Sequence, residues 1–261
     1  MVNSDWGVEL QGGTNLNQEN PQWREVEPGS VMIGSTNRSV LFGGMGPRHE
    51  VKIDYNFQIT EYPVSIQKSR FLQDEMGAEW ASESEWELAN SQGLLFAKDG
   101  EVEIFPDSAN NYWGKICDGR PFIKGSKHPQ LSRMWKNGEP NTHQSPSPNG
   151  PLSGTSEEID ELKIRMVIRN HKEWSGLSSK IPDNDDNFRL FKEEAIISLI
   201  IGIIPSFAWA FFNASPEYIA EGWLNLIIGG LFVGLLSGLF WRPRQPTWCL
   251  IDGKMLASSK D

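Results

Sequence analysis

The stretch EWASESEWELANSQG, Glu79–Gly93, decides how the rest of the chain is read. It holds two tryptophans and four glutamates within one short helix and its lead-in. Ser82 stands three residues before Glu85, the spacing of a capping box, in which each side chain satisfies the other's backbone N–H. Trp86, Leu88 and Ala89 then turn inward, and Gly93 stops the helix. On pattern alone this is an amphipathic helix at the edge of a core.

Working outward, VMIG at Val31–Gly34 reads as a short strand, and STNRSVLFGGMGPRH after it as a loop, because of its glycines and Pro47. In EVKIDYNFQIT the apolar Val51, Ile53, Tyr55, Phe57 and Ile59 alternate with polar neighbours, the period of a half-buried strand or of two short ones. Ser65 caps a helix that sets Ile66, Arg70, Phe71 and Leu72 at helical spacing and ends at Gly77. Ser65–Met76 and Glu83–Gln92 are expected to be the substantial helices before residue 193. Residues 98–158 are rich in Pro, Gly, Asn and Ser and read as a loop-rich insert carrying isolated tryptophans, Trp113 and Trp135. LKIRMVIRN, Leu162–Asn170, returns as a strand. Residues 1–20 are polar, lack the apolar core of a signal peptide and read as a flexible arm.

The whole chain of 261 residues carries a net charge of −10, which argues against a nucleic-acid surface, since phosphate binding needs a basic patch. Its two cysteines, Cys117 and Cys249, lie far apart in sequence and read as free thiols of a reducing compartment. None of His49, His128, His143 and His171 stands at a zinc-ligand spacing. His49 reads as a structural core histidine. The acidic run Pro182–Asp186 lacks the glycine and distal glutamate of a helix–loop–helix calcium site, so calcium is not signalled and a solvated turn is the plain reading. Phosphate loops, nucleophile elbows and dinucleotide fingerprints are missing from the sequence.

Two uncharged apolar runs follow, Ala195–Phe212 and Trp223–Trp241, each near the roughly 20 residues that a membrane span requires. Tryptophans bracket the second as interfacial anchors. Small residues recur every fourth position: Ser198, Gly202, Ser206 and Ala210 in the first run, Gly230, Gly234 and Gly238 in the second. Such stripes let backbones approach closely, either between the two helices or between two copies of the chain. Residues 242–261 read as a short C-terminal tail. The short flanks carry Lys180, Arg189 and Lys192 before the first span and Arg242 and Arg244 after the second, with no Lys or Arg between the spans. The charge rule therefore keeps both flanks, and the domain, in the cytoplasm.

The ordered blocks WREVEPGSVMIGS, PRHEVKIDYNFQITEYPVSIQKSRFL and SESEWELA resemble the sulfatase-modifying-factor domain of the formylglycine-generating-enzyme family. Pro28, Gly29, Met32, Gly34 and Ser35 match its first block, and Pro47, His49 and Val51 its second. Pro63, Val64 and Phe71 match the helix start, and Glu83, Glu85, Trp86, Glu87 and Ala89 the block LPTEAEWEYA. IRMVIRN with Trp174 is similar to the family's RGGSW segment, and DNDDNFRL to its closing GFR. The likeness spans residues 21–192 and implies an α+β chain of irregular, C-type-lectin-like build, to which two transmembrane α-helices are appended. The family's GNVWEW block has no counterpart, and Asn170–Glu173 replace its glycines. The paired cysteines that bind copper in the family's oxidases are missing after this segment, so copper is not expected and formylglycine chemistry is not supported.

The segment that lines the family's cleft holds Arg169, His171, Glu173 and Trp174, which become the ligand-binding candidates; catalytic residues are not identified. The expected function is a membrane-anchored binding or scaffolding module with a protein partner. The rival is an enzyme of the wider family that modifies a protein or small molecule near His171, where a His–Glu pair could do acid–base work.

Overall fold

The computed structural model describes residues 20–125, 127–140, 162–170, 174 and 179–258. Nearly all of the expected arm, His143, and the site candidates His171 and Glu173 lie outside the described residues. The architecture is mixed α+β, with three sheets and a long apolar helical hairpin.

The first sheet runs β1 (Trp23–Val26), β4 (Phe57–Thr60), β11 (Met166–Arg169), β6 (Glu79–Trp80), with every pairing antiparallel. The second runs β5 (Val64–Ser65), β10 (Lys163–Ile164), β7 (Val102–Ser108), β8 (Gln130–Lys136), β9 (Glu139–Pro140). The third contains β2 (Gly29–Ile33), β3 (His49–Ile53), β12 (Thr247–Ile251) and β13 (Lys254–Ser258) in the order β13-β12-β3-β2. The period-two reading of residues 49–60 is two strands, with His49, Val51, Ile53, Phe57 and Ile59 all turned inward.

Helix α1 (Ile66–Met76) has Ser65 as its N-cap and Gly77, at φ +63°, as its left-handed stop. Its buried residues are Ile66, Ser69 and Leu72, whereas Phe71, expected on the inner stripe, is exposed. Helix α2 (Glu83–Ser91) carries the full capping box of Ser82 and Glu85. It is not an edge helix: Glu83, Ser84 and Glu85 are as deeply buried as Trp86, Leu88 and Ala89. The main core gathers Val26, Ile53, Phe57, Trp86, Phe105, Tyr112 and Trp135 around it, and a smaller cluster of Val64, Ile66, Leu72, Ile104 and Met166 lies under α1.

Three further sequence expectations need correction. The region expected as a loop-rich insert supplies β7 and β8, and its Trp135 is a core residue. The expected C-terminal tail is a hairpin, β12–β13, which pairs in parallel with β3 at Trp248 and His49 and so completes the third sheet. Finally, α3 (Asn187–Asn213) begins before residue 193, because the Asp186 carboxylate accepts from the N–H groups of Phe188 and Arg189 and starts the helix there. This also gives the acidic run Pro182–Asp186 its use as a cap.

Helices α3 and α4 (Pro216–Ser237) are both long and apolar enough to cross a membrane. Only 22% and 11% of their most apolar windows are buried, the opposite of helices inside a soluble core. Ser215 caps α4 and Pro216 takes its first turn, so only Ala214 and Ser215 separate the two helices. Within α3, Ser198–Ile203 is a π-helical turn, and the Ile204 N–H bonds back to Leu199 O. The wider turn precedes Pro205, which has no N–H to donate, and relieves its clash with the turn before.

The small residues are used inside the hairpin. A Cβ on Gly202 would lie 1.8 Å from Gly230 O, and one on Gly234 would lie 2.5 Å from Ser198 Cα. Gly230 and Gly234 therefore already face α3, while Gly238 is the C-cap of α4 and sits against Arg242. Charged and backbone contacts stitch the hairpin ends to the domain. Arg38 pairs with Glu193 and donates to Pro243 O at 2.9 Å, and Arg242 pairs with Glu194 at 3.0 Å. Gln245 N–H donates to Thr36 O at 3.0 Å. Both ends of the hairpin thus meet the same face of the domain.

Candidate functional site

Of the glutamates of the opening stretch, Glu83 and Glu85 are buried and Glu87 half-buried, and each of these three meets a cation. Glu83 accepts from Tyr112 Oη at 2.8 Å and from Arg133 Nη2 at 3.0 Å, with Lys115 Nζ at 3.7 Å. Glu85 holds Arg169 through two bonds, Nε to Oε1 at 2.6 Å and Nη2 to Oε2 at 2.8 Å, and also accepts from Tyr55 Oη at 2.8 Å. Glu87 accepts from Arg133 Nη2 at 2.5 Å. The positive end of α2 favours Glu83 and Glu85, which lie in its first turn, and the bidentate fork at Glu85 suits Arg more than Lys.

Below them, Glu103 accepts from Trp86 Nε1 at 2.8 Å and Trp135 Nε1 at 2.5 Å, and pairs bidentately with Arg165. Asp107 accepts from the Glu83 and Phe122 N–H groups, both at 2.9 Å. Burial pushes its carboxyl up to about 6. Burial, aided by Lys115, pushes His49 down to about 3, so the imidazole is neutral at pH 7. Its Nδ1 lies 2.9 Å from Pro47 O, and its ring faces Tyr112 at 4.8 Å between centroids. The reading of His49 as a structural core histidine agrees with this placement, although its Nε2 has no hydrogen-bond partner among the described residues.

Of the sequence candidates, the structure brings Arg169 and Trp174 together, with the guanidinium 5.3 Å from the ring centroid. Arg120 stacks on the same ring at 5.5 Å, and Tyr55 meets it edge-on. Arg169 is not free for a ligand: besides Glu85 it pairs with Glu79 and donates to Trp80 O. It ties β11 to β6 and α2.

The more open site lies beside α2 on the other side. A cleft of about 560 Å³ runs between the end of β2, the loop Phe42–Met45, and a floor made by Glu87 and Arg133, with Arg48 at its side. Gly34 borders it at φ +88°, where a Cβ would fall 2.6 Å from Pro47 O; only glycine permits this approach. Arg133 is 4% exposed, yet its Nη1 finds no hydrogen-bond partner among the described residues. Burial raises the Glu87 carboxyl, and Arg133 opposes that rise. The cleft therefore abuts an ion pair, Glu87–Arg133, whose guanidinium keeps Nη1 without a hydrogen-bond partner among the described residues.

Sequence reading missed this floor. The signal was present in LSRMW, where Arg133 alternates with Leu131 and Trp135 on the inward face of β8. A charge at an inward position of a strand marks a buried polar site.

The cysteines do not form a soft-metal pair. Cys117 is buried, free and pushed up to about 12 by burial, and Cys249 is free on β12. Among the described residues no group of three His, Cys, Asp or Glu is placed to hold a metal ion. No protein-family model, curated protein or solved structure matches the chain.

Proposed function

We propose that this chain is a membrane-anchored binding module of sulfatase-modifying-factor-like, C-type-lectin-like build, which takes its ligand in the Glu87–Arg133 cleft and carries out no copper-dependent formylglycine chemistry. The order of sequence blocks supports the family reading. The observation that carries the binding site is the buried Arg133 guanidinium beside the cleft, whose Nη1 has no hydrogen-bond partner among the described residues. A buried donor without a partner costs about 1–3 kcal/mol, and a bound acceptor recovers it. Beside the Glu87 carboxylate, such a floor answers both the C=O and the N–H of an amide, so a peptide segment is the ligand class. An enzyme working around His171 draws less support, because Arg169 is committed to Glu79 and Glu85.

In this reading the hairpin holds the module on the bilayer, and the basic flanks support a cytoplasmic domain by the charge rule. Met32 and Met45 line the cleft and provide the readout. With methyl-labelled methionine and the full chain in detergent micelles, a dipeptide amide should shift the Met32 and Met45 signals. Arg48→Glu should change that response. An unchanged spectrum at saturating dipeptide amide would overturn the assignment of the cleft.

A further inference from the structure

The loop Asn37–Gly44 was read only as a connection, yet it presents three consecutive apolar side chains to the outside. Val40, Leu41 and Phe42 are 60%, 57% and 64% exposed. A contiguous exposed apolar run of this kind marks a contact surface. The loop is prebuilt for display. Asn37 Nδ2 donates to Phe42 O at 2.9 Å, the Gly43 N–H to Ser39 O at 2.9 Å, and the Phe42 N–H to Ser39 Oγ at 3.2 Å.

Its position identifies the occupant. The Val40 N–H donates to Gly238 O at 3.2 Å and the Leu41 N–H to Leu239 O at 2.9 Å. The Phe42 ring lies 6.4 Å from that of Phe240. These partners directly follow α4, and Phe240 and Trp241 are themselves more than half exposed. The apolar tip is thus continuous with the outer surface of the second span, at the level where an interfacial tryptophan stands. Behind the tip, the Arg38–Glu193 and Arg242–Glu194 pairs form a polar layer.

We infer that Val40, Leu41 and Phe42 insert into the headgroup–acyl boundary as a third membrane contact, fixing the domain against the lipid surface. The occupant is the bilayer in which the hairpin sits, and the inference rests on α3 and α4 being spans. Because Phe42–Met45 also line the Glu87–Arg133 cleft, insertion sets the mouth of that cleft beside the lipid surface.

The test uses the full chain carrying Cys117→Ser and Cys249→Ser, reconstituted in phosphatidylcholine vesicles. Single cysteines at Leu41, at Ile228 in α4 and at Met76 at the end of α1 are labelled with an environment-sensitive fluorophore. Spin-labelled acyl chains should quench the Leu41 and Ile228 labels and spare Met76, while aqueous iodide should quench Met76 alone. Iodide quenching of Leu41 with Ile228 still lipid-quenched overturns the inserted loop. Loss of lipid quenching at both Leu41 and Ile228 overturns the spans along with it.

Discussion

Arg165→Met should be among the most damaging single substitutions in the domain. The Arg165 side chain is 1% exposed and its pair with Glu103 is equally buried. Two charge-assisted bonds reach Glu103, at 2.7 and 2.8 Å, and three more reach the carbonyls of Thr60, Glu61 and Phe96. Among the described residues, removing the cation leaves the buried carboxylate with two indole N–H donors and takes a donor from the carbonyls of Thr60 and Phe96, while Glu61 O keeps the Phe96 N–H at 3.1 Å. Breaking such a pair costs about 3–5 kcal/mol, and the stranded carbonyls move the total to the upper end of that range. A domain has about 5–15 kcal/mol to lose, so the variant sits near its unfolding threshold. Arg165→Lys should recover little, since an ammonium cannot reach all the acceptors placed for a planar guanidinium fork. Combining Glu103→Leu with Arg165→Met should cost less than the sum of the two single changes, because no unpaired charge remains. Urea unfolding of the full chain in micelles, followed by tryptophan fluorescence, reads these differences. An Arg165→Met variant within about 1 kcal/mol of the parent, or a strictly additive double variant, would refute the reasoning.

Gly202→Leu should splay the hairpin: a Cβ meets Gly230 backbone at 1.8 Å, and the clash outweighs the roughly 1 kcal/mol of helix propensity gained. The thermal stability of the full chain in micelles should then fall, and an unchanged Tm would contradict the packing. Deleting residues 247–258 should expose β3 and speed its amide exchange, with α1 little affected. Acid response separates two buried groups. His49 is neutral in the fold down to about 3 but titrates at 6.5 unfolded, so its contribution to stability is lost as pH falls from about 6.5 to 3. Asp107 titrates at about 6 folded against 3.8 unfolded, so its contribution is lost as pH rises from about 4 to 6. Each slope is about 1.4 kcal/mol per pH unit and they oppose, so His49→Asn should make stability rise as pH drops from 6 to 4; a fall there would contradict the assignment. Protease added to intact cells should leave the domain uncut, and digestion without permeabilisation would invert the proposed orientation.

Local chemistry was sufficient for much of the fold. Ser65 and Gly77 bound α1, Ser82 and Glu85 start α2, and period-two alternation marks β3 and β4, because caps and pleats depend on neighbours a few residues away. The two long apolar helices were equally legible, since length and lack of charge are properties of the segment itself. What the segments could not declare was which polar groups go inside. Glu83, Glu85 and Glu87 look like the wet face of an edge helix until Arg133 from β8 and Arg169 from β11 arrive from 46 or more positions away. The same holds for β12 and β13, whose place beside β3 comes only after the hairpin has carried the chain out and back. A buried charge is tolerable only when its partner is delivered, and that delivery belongs to the tertiary structure.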